Sequence, residues 1–360
     1  MTYLVSQPVR SPLRYVGSKR RLARAITGFM PAHTTYVEPF GGSAAVMLAK
    51  CISPVEVFND FDGSLVNFFE VCRDQHDRLV AYLRLLPYAR STFEKWKKEP
   101  LSEVADPFER AVRYFYLNRV SFGAKLQTGD SMSFGFGITT SPGEAYARSI
   151  EFIPSFARRI MTTQIENRPW QYIIEAYDRP DTLFLIDPPY WGAEQYYTAV
   201  MKREEHVEMA ERLSRIQGHA MVCYYEGPEV EAMYGPAGLG WAKKTFKLAS
   251  TIGKLNAGDK AGGTAHNSVA TEVLYISPSR HATFDSMWAM PDVQTFEVDE
   301  SEDPVNDMSD AAGDAAGDAA GGPAPAEPSI AEPCADEPPP GGDVDLEPGL
   351  FDAPCLLQPA

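Results

Sequence analysis

The sequence predicts an α/β fold with a mostly parallel sheet, interrupted by a basic insertion and followed by an acidic tail. The fold class rests on short apolar runs that alternate with segments of helical periodicity, because alternating strands and helices form parallel sheets. The insertion and the tail rest on changes in composition and charge along the 360 residues. The part before the tail is long enough for one large domain with a substantial core.

The first predicted unit is a strand at Thr35–Phe40, a turn at Gly41 and Gly42, and a helix at Ser43–Lys50. Ser43 is a typical N-cap, because its hydroxyl can accept a hydrogen bond from a free N–H of the first turn. The further predicted strands are Val55–Asn59, Thr182–Ile186, Ala220–Tyr225 and Glu272–Ile276, and the further predicted helices are Leu65–Arg73 and Glu204–Ile216.

Four regions are predicted along the chain. Residues 1–87 and 168–290 carry the alternation of strands and helices and together form the α/β domain. Residues 88–167 lack this alternation and contain more Lys and Arg than Asp and Glu. This favours an insertion that meets a polyanion, with a solvated lid as the alternative. Residues 291–360 are rich in proline and contain three tandem Asp-Ala-Ala-Gly units, a composition typical of a disordered tail.

The net charge of −16 comes from 49 acidic and 33 basic side chains. Residues 291–360 contain 18 of the acidic side chains and none of the basic ones, so residues 1–290 have 31 acidic against 33 basic. The overall charge therefore does not exclude DNA as a partner. We expect the tail to compete with DNA for basic surface at low salt, where screening is weakest.

Several classes of protein are disfavoured by the residue types. The five cysteines form no Cys-x-x-Cys pair and the six histidines show no metal-ligand spacing, so neither a disulfide scaffold nor a metal site is expected. The N-terminus has no apolar signal region, and no apolar run approaches the roughly 18 residues of a membrane helix. We expect a cytoplasmic protein that acts as a monomer.

The most specific motif is Asp187-Pro188-Pro189-Tyr190, directly after a predicted buried strand. Loops at the carboxyl ends of strands build the sites of open α/β sheets. The two prolines restrict the backbone, so that the Asp187 carboxylate and the Pro188 carbonyl can face one small donor group. An exocyclic amine on an aromatic base is such a donor, and Tyr190 could stack on the base. A rigid turn without chemistry is the alternative.

A second motif is Val37–Ser43, a strand that leads through a glycine turn into a helix. Glycines allow a ligand to approach the backbone closely, and the start of a helix offers free N–H groups. Asp60 stands 18 residues after Gly42, at the end of the next predicted strand, where an acid can bind ribose hydroxyls. A nicotinamide cofactor would fit this pattern too, but the loop is not Gly-x-Gly-x-x-Gly.

A third motif, Leu13–Leu22, is a glycine turn that opens a basic helix, with a solvated positive face as the alternative. Together the motifs resemble the Dam-type adenine-specific DNA methyltransferases. In that family an aromatic-x-Gly-x-Lys segment, a Pro-Phe-x-Gly loop, an acid after the next strand and Asp-Pro-Pro-Tyr occur in this order. The likeness covers residues 11–280.

The resemblance implies a Rossmann-like sheet of S-adenosylmethionine-dependent methyltransferases, acting on double-stranded DNA. Residues 1–87 would form the cofactor-binding half, 88–167 the target-recognition insertion and 168–290 the catalytic half. Tyr15 and Lys19 would line the cofactor pocket, and Phe40 and Gly42 would shape the loop beneath it. Asp60 would hold the ribose. Asp187 would contact the target amine near the cofactor, and Pro188 and Tyr190 would complete the catalytic motif.

The recognition region also has a counterpart in the insertion. Leu117–Gly123 resembles the entry of the family's recognition hairpin and Ser133–Gly135 its exit, which implies DNA contacts for Asn118, Arg119 and Lys125. The usual Asn before Gly123 is absent and the hairpin around Gln127–Asp130 differs from the family's, so the resemblance implies no target sequence. Ala44 stands where many relatives have a second loop glycine, which predicts a slightly different loop path.

Three other functions are compatible with parts of this set of motifs. Methylation of the cytosine exocyclic amine needs the same geometry. The families with that activity, however, more often have Ser where this motif has Asp187. Protein-glutamine methyltransferases resemble a version that begins with Asn. A catalytically idle DNA-binding relative would have no chemical need of Asp187 or Asp60. Adenine methylation is therefore the predicted activity.

The tail contains one further candidate motif. Glu347–Phe351 resembles the Gln-x-x-Leu-Phe peptides that dock on the bacterial sliding clamp, with Glu in place of Gln. Leu350 and Phe351 would then contact the clamp, and an incidental Leu-Phe pair is the alternative.

Overall fold

The computed structural model describes residues 9–15, 17–122, 132–191, 201–249, 269–278 and 294–297. All of them belong to one compact unit, residues 1–317, and the second unit, 318–360, contains none of them. The predicted tail thus lies outside the described residues except for 294–297. Within the described part, no helix is long and apolar enough to cross a membrane.

An eight-stranded sheet forms the centre of this unit, in the order β3-β2-β1-β4-β5-β7-β6-β8. The strands are β1 Thr35–Glu38, β2 Val55–Asn59, β3 Gln164–Glu166, β4 Thr182–Ile186, β5 His219–Tyr225, β6 Ala242–Ala249, β7 Val269–Ile276 and β8 Gln294–Glu297. The first five in sheet order are parallel, and β7 runs antiparallel to both β5 and β6. The predicted mixed α/β class is confirmed.

The chain reverses its direction of winding between β1 and β4. From β1 the sheet grows outward through β2 and β3, and from β4 it grows the other way through β5. β1 and β4 are direct parallel neighbours, with Thr35 opposite Thr182 and Val37 opposite Phe184. The loops that follow them therefore diverge from adjacent strand ends, which is where open α/β sheets form a ligand crevice.

Helices cover both faces of the sheet. They are α1 Ala23–Thr27, α2 Ala45–Ala49, α3 Gly63–Leu85, α4 Arg90–Trp96, α5 Pro107–Val120, α6 Pro142–Ile150, α7 Ile153–Ile160, α8 Trp170–Tyr177, α9 Arg203–Leu213 and α10 Pro228–Tyr234. One core contains apolar residues of α3, α5 and α7, and the other those of α8, α9 and α10. Successive strand residues enter opposite cores, as Leu183 and Phe184 do, because side chains alternate across a strand.

Two local predictions differ from the structure. The α2 helix begins at Ala45 with Ala44 as its N-cap residue, and no side chain caps it. Ser43 is therefore not the N-cap; its hydroxyl lies 2.9 Å from that of Ser18. The predicted helix Leu65–Arg73 is the inner part of α3, which Asp62 caps by accepting hydrogen bonds from the N–H groups of Ser64 and Leu65.

The predicted insertion does not stand apart from the sheet. Its helices α5 and α7 pack on α3 and share its core. β3, at the end of the range 88–167, pairs with β2 as an edge strand of the central sheet. The division into four regions stays a prediction, but this strand belongs to the sheet.

Candidate active site

A cleft of about 1120 Å³ opens at the carboxyl ends of β1 and β4. Most of the residues that the motifs singled out line it: Tyr15, Lys19, Phe40, Gly42, Asp60, Asp187 and Pro188. They come from segments far apart in the chain and meet because β1, β2 and β4 are parallel neighbours whose carboxyl ends lie on the same edge.

The turn after β1 needs an unusual backbone. Gly42 has a φ of 50°, in the left-handed region that favours glycine. A Cβ on Gly42 would lie 3.0 Å from the Tyr15 ring, so the glycine also lets that ring approach the backbone. Ala44 is left-handed too, with φ 56°, which explains why a glycine suits this position.

Asp60 connects the turn to the next strand. Its Oδ2 accepts a hydrogen bond of 2.9 Å from the Gly42 N–H, and its Oδ1 accepts one of 2.9 Å from the Asp62 N–H. A carboxylate has about four acceptor sites, so Asp60 keeps capacity for another donor. Burial raises the pKa of Asp60 to about 6, against the effect of three backbone donors, those of Asp62, Gly42 and Phe61.

Asn59 and Asn167 join the loops around Asp60. The Asn59 amide donates to the carbonyl oxygens of Pro39 and Arg168 at 2.8 and 3.1 Å. The Asn167 amide donates to the Asp60 carbonyl oxygen at 2.7 Å. The loops after β1, β2 and β3 are therefore held together by two side-chain amides, which the motif search did not identify.

Asp187 belongs to a buried charged cluster, which we call the cleft cluster: Lys19, Asp187, Glu272 and Tyr190. Lys19 Nζ lies 2.9 Å from Asp187 Oδ1 and 3.5 Å from Glu272 Oε2. The Tyr190 hydroxyl donates to Glu272 Oε2 at 3.3 Å. Lys19 is 4% exposed, so its charge is not a solvated surface charge.

The electrostatics of the cleft cluster are set by burial. Desolvation raises the pKa of Asp187 and of Glu272, because the charged form of a carboxyl is disfavoured away from water. The Lys19 ammonium acts in the opposite direction on both groups. The result is two acids whose pKa values stay above their usual range although they share a cation.

Glu38 is another buried acid at the wall of the cleft. Its Oε1 accepts hydrogen bonds from the Tyr36 hydroxyl at 2.7 Å and from the Met47 N–H at 2.9 Å. Burial raises its pKa to about 7. Sequence reasoning quoted Glu38 within a motif without assigning it a role; an acid that ends an otherwise apolar strand was the available signal.

Tyr190 is placed differently from the prediction. Its side chain is 1% exposed and packs against Tyr224 and Tyr225, with ring centroids 5.6 and 4.6 Å away. Lys19 Nζ lies 4.7 Å from the centre of its ring. Because no face of the ring is open in this conformation, the structure argues against Tyr190 stacking on a base and associates it with Lys19 and Glu272.

Asn118 and Arg119 lie inside the protein, only 1% and 9% exposed. The Asn118 amide accepts from the Arg14 N–H at 2.9 Å and donates to the Arg14 carbonyl oxygen at 2.7 Å. Arg119 donates to the Ala145 carbonyl oxygen. This burial argues against the predicted DNA contacts of both side chains. Lys125, the third predicted DNA contact, lies outside the described residues.

Arg14 completes the connection at the end of α5. Its guanidinium donates to the carbonyl oxygens of Asn118, Arg119 and Ser121, at 3.3, 3.0 and 2.6 Å. These carbonyls have no partner within the helix, and a cation favours this end of the helix dipole. The segment that carries Tyr15 and Lys19 is thereby tied to the helix that leads into the predicted recognition hairpin.

Comparison with known proteins agrees with this geometry. Residues 15–234 match the family described as D12 class N6 adenine-specific DNA methyltransferase. The chain is 22% identical over 218 residues to the Type II methyltransferase M.CviBI of Paramecium bursaria Chlorella virus NC1A, covering 55% of this chain and 76% of that protein.

Two bacterial relatives carry the name DNA adenine methylase. The Haemophilus influenzae protein is 24% identical over 193 residues, covering 51% of this chain and 64% of that protein. The Escherichia coli K12 protein is 28% identical over 116 residues, covering 31% and 41%. The match thus spans less than two thirds of either methylase, but the family match covers more than half of this chain. The chain belongs to the D12 class of N6 adenine-specific DNA methyltransferases.

Proposed function

We propose that this chain is a site-specific DNA methyltransferase that moves the methyl group of S-adenosylmethionine to the exocyclic amine of an adenine in double-stranded DNA. The observation that carries the proposal is the position of Asp187 and Pro188. They lie at the end of β4, in the same cleft as the Gly42 turn and Asp60. A methyl donor and an amine can therefore be held side by side.

The residues of the cleft fit S-adenosylmethionine. Asp60 keeps acceptor capacity for ribose hydroxyls, and the Gly42 turn leaves room that a Cβ would fill. Tyr15 lies over that turn as an aromatic wall, and Phe40 packs near Trp170 on the other side, with ring centroids 6.3 Å apart. When bound, S-adenosylmethionine supplies an electrophilic methyl group on a positively charged sulfur.

The chain's own part in the reaction is to orient and polarise the amine. Lys19 pairs with Asp187 Oδ1 at 2.9 Å, and the carboxylate keeps acceptor capacity for one amine N–H. The Pro188 carbonyl can accept the other N–H. Two acceptors on the amine draw its lone pair out of conjugation and direct it at the methyl carbon. No covalent enzyme intermediate is needed.

The base must leave the duplex to reach this cleft. A stacked adenine cannot bring its amine to residues at the ends of β1 and β4, and unstacking costs a few kcal/mol. Lys97 and Arg110 of the predicted insertion line the cleft, where positive charge can bind phosphates. Lys125 is a proposed phosphate or base contact on sequence grounds alone.

The test is transfer of labelled methyl groups to unmodified DNA by wild type and by Asp187→Ala. We expect the variant to lose roughly 10²- to 10⁴-fold in rate, the scale of a positioned acid–base group. Asp181→Ala is a matched control, because Asp181 precedes the same strand at its opposite end and is exposed. Labelling of cytosine alone would establish the alternative activity, and no labelling by wild type would refute the proposal.

The sliding clamp remains a proposed partner on sequence grounds, since Leu350 and Phe351 lie outside the described residues. Loss of clamp capture in the double variant Leu350→Ala with Phe351→Ala is the expected result. Unchanged capture would remove the proposal.

A further inference from the structure

Glu272 has no role in the function described so far. It lies on β7, opposite Tyr225 of β5 and Phe246 of β6, and is 8% exposed. The strand around it, VATEVLYI, is otherwise free of charged residues. A carboxyl in such a place is costly unless it has partners, so its contacts show what it is there to do.

Those contacts all lead to the proposed catalytic motif. Glu272 Oε2 accepts from the Tyr190 hydroxyl and lies 3.5 Å from Lys19 Nζ, which contacts Asp187 at 2.9 Å. Lys19 also donates to the Gly17 carbonyl oxygen at 3.0 Å, which fixes the direction of its side chain. Glu272 is thus one contact away from Asp187, through Lys19.

The charges in the cleft cluster do not balance. Two carboxylates share one ammonium, which leaves one negative charge in excess when both acids are ionised. Among the described residues, the other titratable groups that face the cluster are Glu38, Cys223, Tyr224 and Tyr225, and none of them is a cation. If Glu272 were absent, Lys19 and Asp187 would form a neutral pair. The surplus charge therefore depends on Glu272.

We propose that Glu272 is a positioning residue that shares Lys19 with Asp187 and so keeps the part of the cleft around Asp187 negative, which makes it select the charged methyl donor over its neutral product. This inference rests on the proposed function. S-adenosylmethionine carries a positive sulfur and S-adenosylhomocysteine a neutral one, and the two ligands are otherwise nearly the same. Charge in a buried site acts over several ångströms because screening is weak there.

The test measures the equilibrium affinity of both ligands by calorimetry at pH 8 and compares their ratio. Glu272→Gln keeps the size and the acceptor oxygen but removes the charge. We expect it to lower the preference for S-adenosylmethionine on the order of tenfold. If Glu272 had only a structural role, the variant would lose affinity for both ligands equally. This outcome would overturn the inference.

Two further variants sharpen the result. Glu231→Gln is the matched control, because Glu231 also contacts a lysine and a tyrosine hydroxyl but lies on the surface; its ratio should equal that of wild type. The double variant Lys19→Gln with Glu272→Gln removes one charge of each sign. We expect it to return the ratio toward the wild-type value. Glu272→Asp keeps the charge and should keep the wild-type ratio, which keeps the test open if Glu272→Gln does not fold. A tenfold change in the double variant would contradict the inference.

The same series separates this inference from the proposed function. A wild-type protein that binds neither ligand and labels no adenine refutes the function itself. A wild type that methylates adenine while Glu272→Gln leaves the ratio unchanged refutes only the role of Glu272.

Discussion

Two groups of the same residue types lie on neighbouring parts of this sheet. The cleft cluster joins Lys19 to Asp187 and Glu272, with the Tyr190 hydroxyl on Glu272. A second group, the surface cluster, joins Lys243 to Glu226 and Glu231 at 2.9 and 2.8 Å, with the Tyr275 hydroxyl on Glu231 at 2.6 Å. Each consists of one lysine, two carboxylates and a tyrosine.

Their titration differs because their exposure differs. The Lys19 side chain is 3% exposed and that of Lys243 is 21% exposed. In the surface cluster the Lys243 hydrogen bond lowers the pKa of Glu231. In the cleft cluster burial outweighs the same kind of partner and raises the pKa of Glu272. The same residue types therefore form a solvated ion pair at the surface and a desolvated charged cluster beside the cleft.

The largest expected difference between the clusters is in stability. Lys19→Met leaves a buried and a partly buried carboxylate without a cation, and we expect it to lower the free energy of unfolding by about 2–4 kcal/mol. Lys243→Met breaks an exposed pair, which contributes about 0–1 kcal/mol. Chemical denaturation of both variants at pH 8 measures the two costs. Similar costs would show that burial does not distinguish the clusters.

The buried acid Glu38 and the surface acid Glu231 should change the free energy of unfolding with pH in opposite directions. The raised pKa of Glu38, about 7 against an unfolded value of 4.5, means that the unfolded state ionises first as pH rises. Glu38 therefore makes the protein less stable from about pH 4.5 to 7. Glu38→Gln should gain stability relative to wild type over this window, on the order of 2 kcal/mol.

Glu231 provides the contrast for that experiment. Its pKa is lowered, so its contribution is present above the unfolded pKa and is lost as pH falls through the folded one. Glu231→Gln should therefore lose stability relative to wild type as pH rises. Denaturation curves at a series of pH values would show slopes of opposite sign, and equal slopes would contradict the assignment.

The smallest expected effect concerns two glycines, one in each region. Gly42 has φ 50° and Gly240, just before the strand that carries Lys243, has φ 65°. An alanine in this region of backbone costs about 1 kcal/mol at either position. A Cβ at Gly42 also meets the Tyr15 ring at 3.0 Å, whereas one at Gly240 meets nothing within 4 Å.

The two alanine variants should therefore differ in ligand binding. We expect Gly42→Ala to lower the affinity for S-adenosylmethionine about tenfold, because the Tyr15 ring must shift. Gly240→Ala should leave this affinity unchanged. Calorimetric titration of both proteins gives the comparison. Equal affinities would mean that the Gly42 turn does not shape the cofactor site.

Much of the fold could be predicted because its signals are local. The strands Val55–Asn59 and Thr182–Ile186 have the predicted bounds, since each is a short segment rich in β-branched, aliphatic and aromatic residues. β3 has only three residues, none of them buried, so its sequence does not predict a strand. It joins the sheet by pairing with β2. Ser43 had the right type for an N-cap, but the left-handed Ala44 after it moves the helix start to Ala45.

The sequence by itself determined several of the groups that line the cleft. The family could be recognised from five residues by their order and spacing: Tyr15, Lys19, Gly42, Asp60 and Asp187. Most of them lie in a turn or at the end of a strand, where the local sequence predicts the structure. Only the tertiary structure decided what Glu272, Tyr190 and Asn118 do, because pairing across β5 and β7 and packing against α5 join residues far apart in the chain. Burial, which depends on those contacts, then determines whether a lysine and two acids form a surface ion pair or a buried charged cluster beside a cleft.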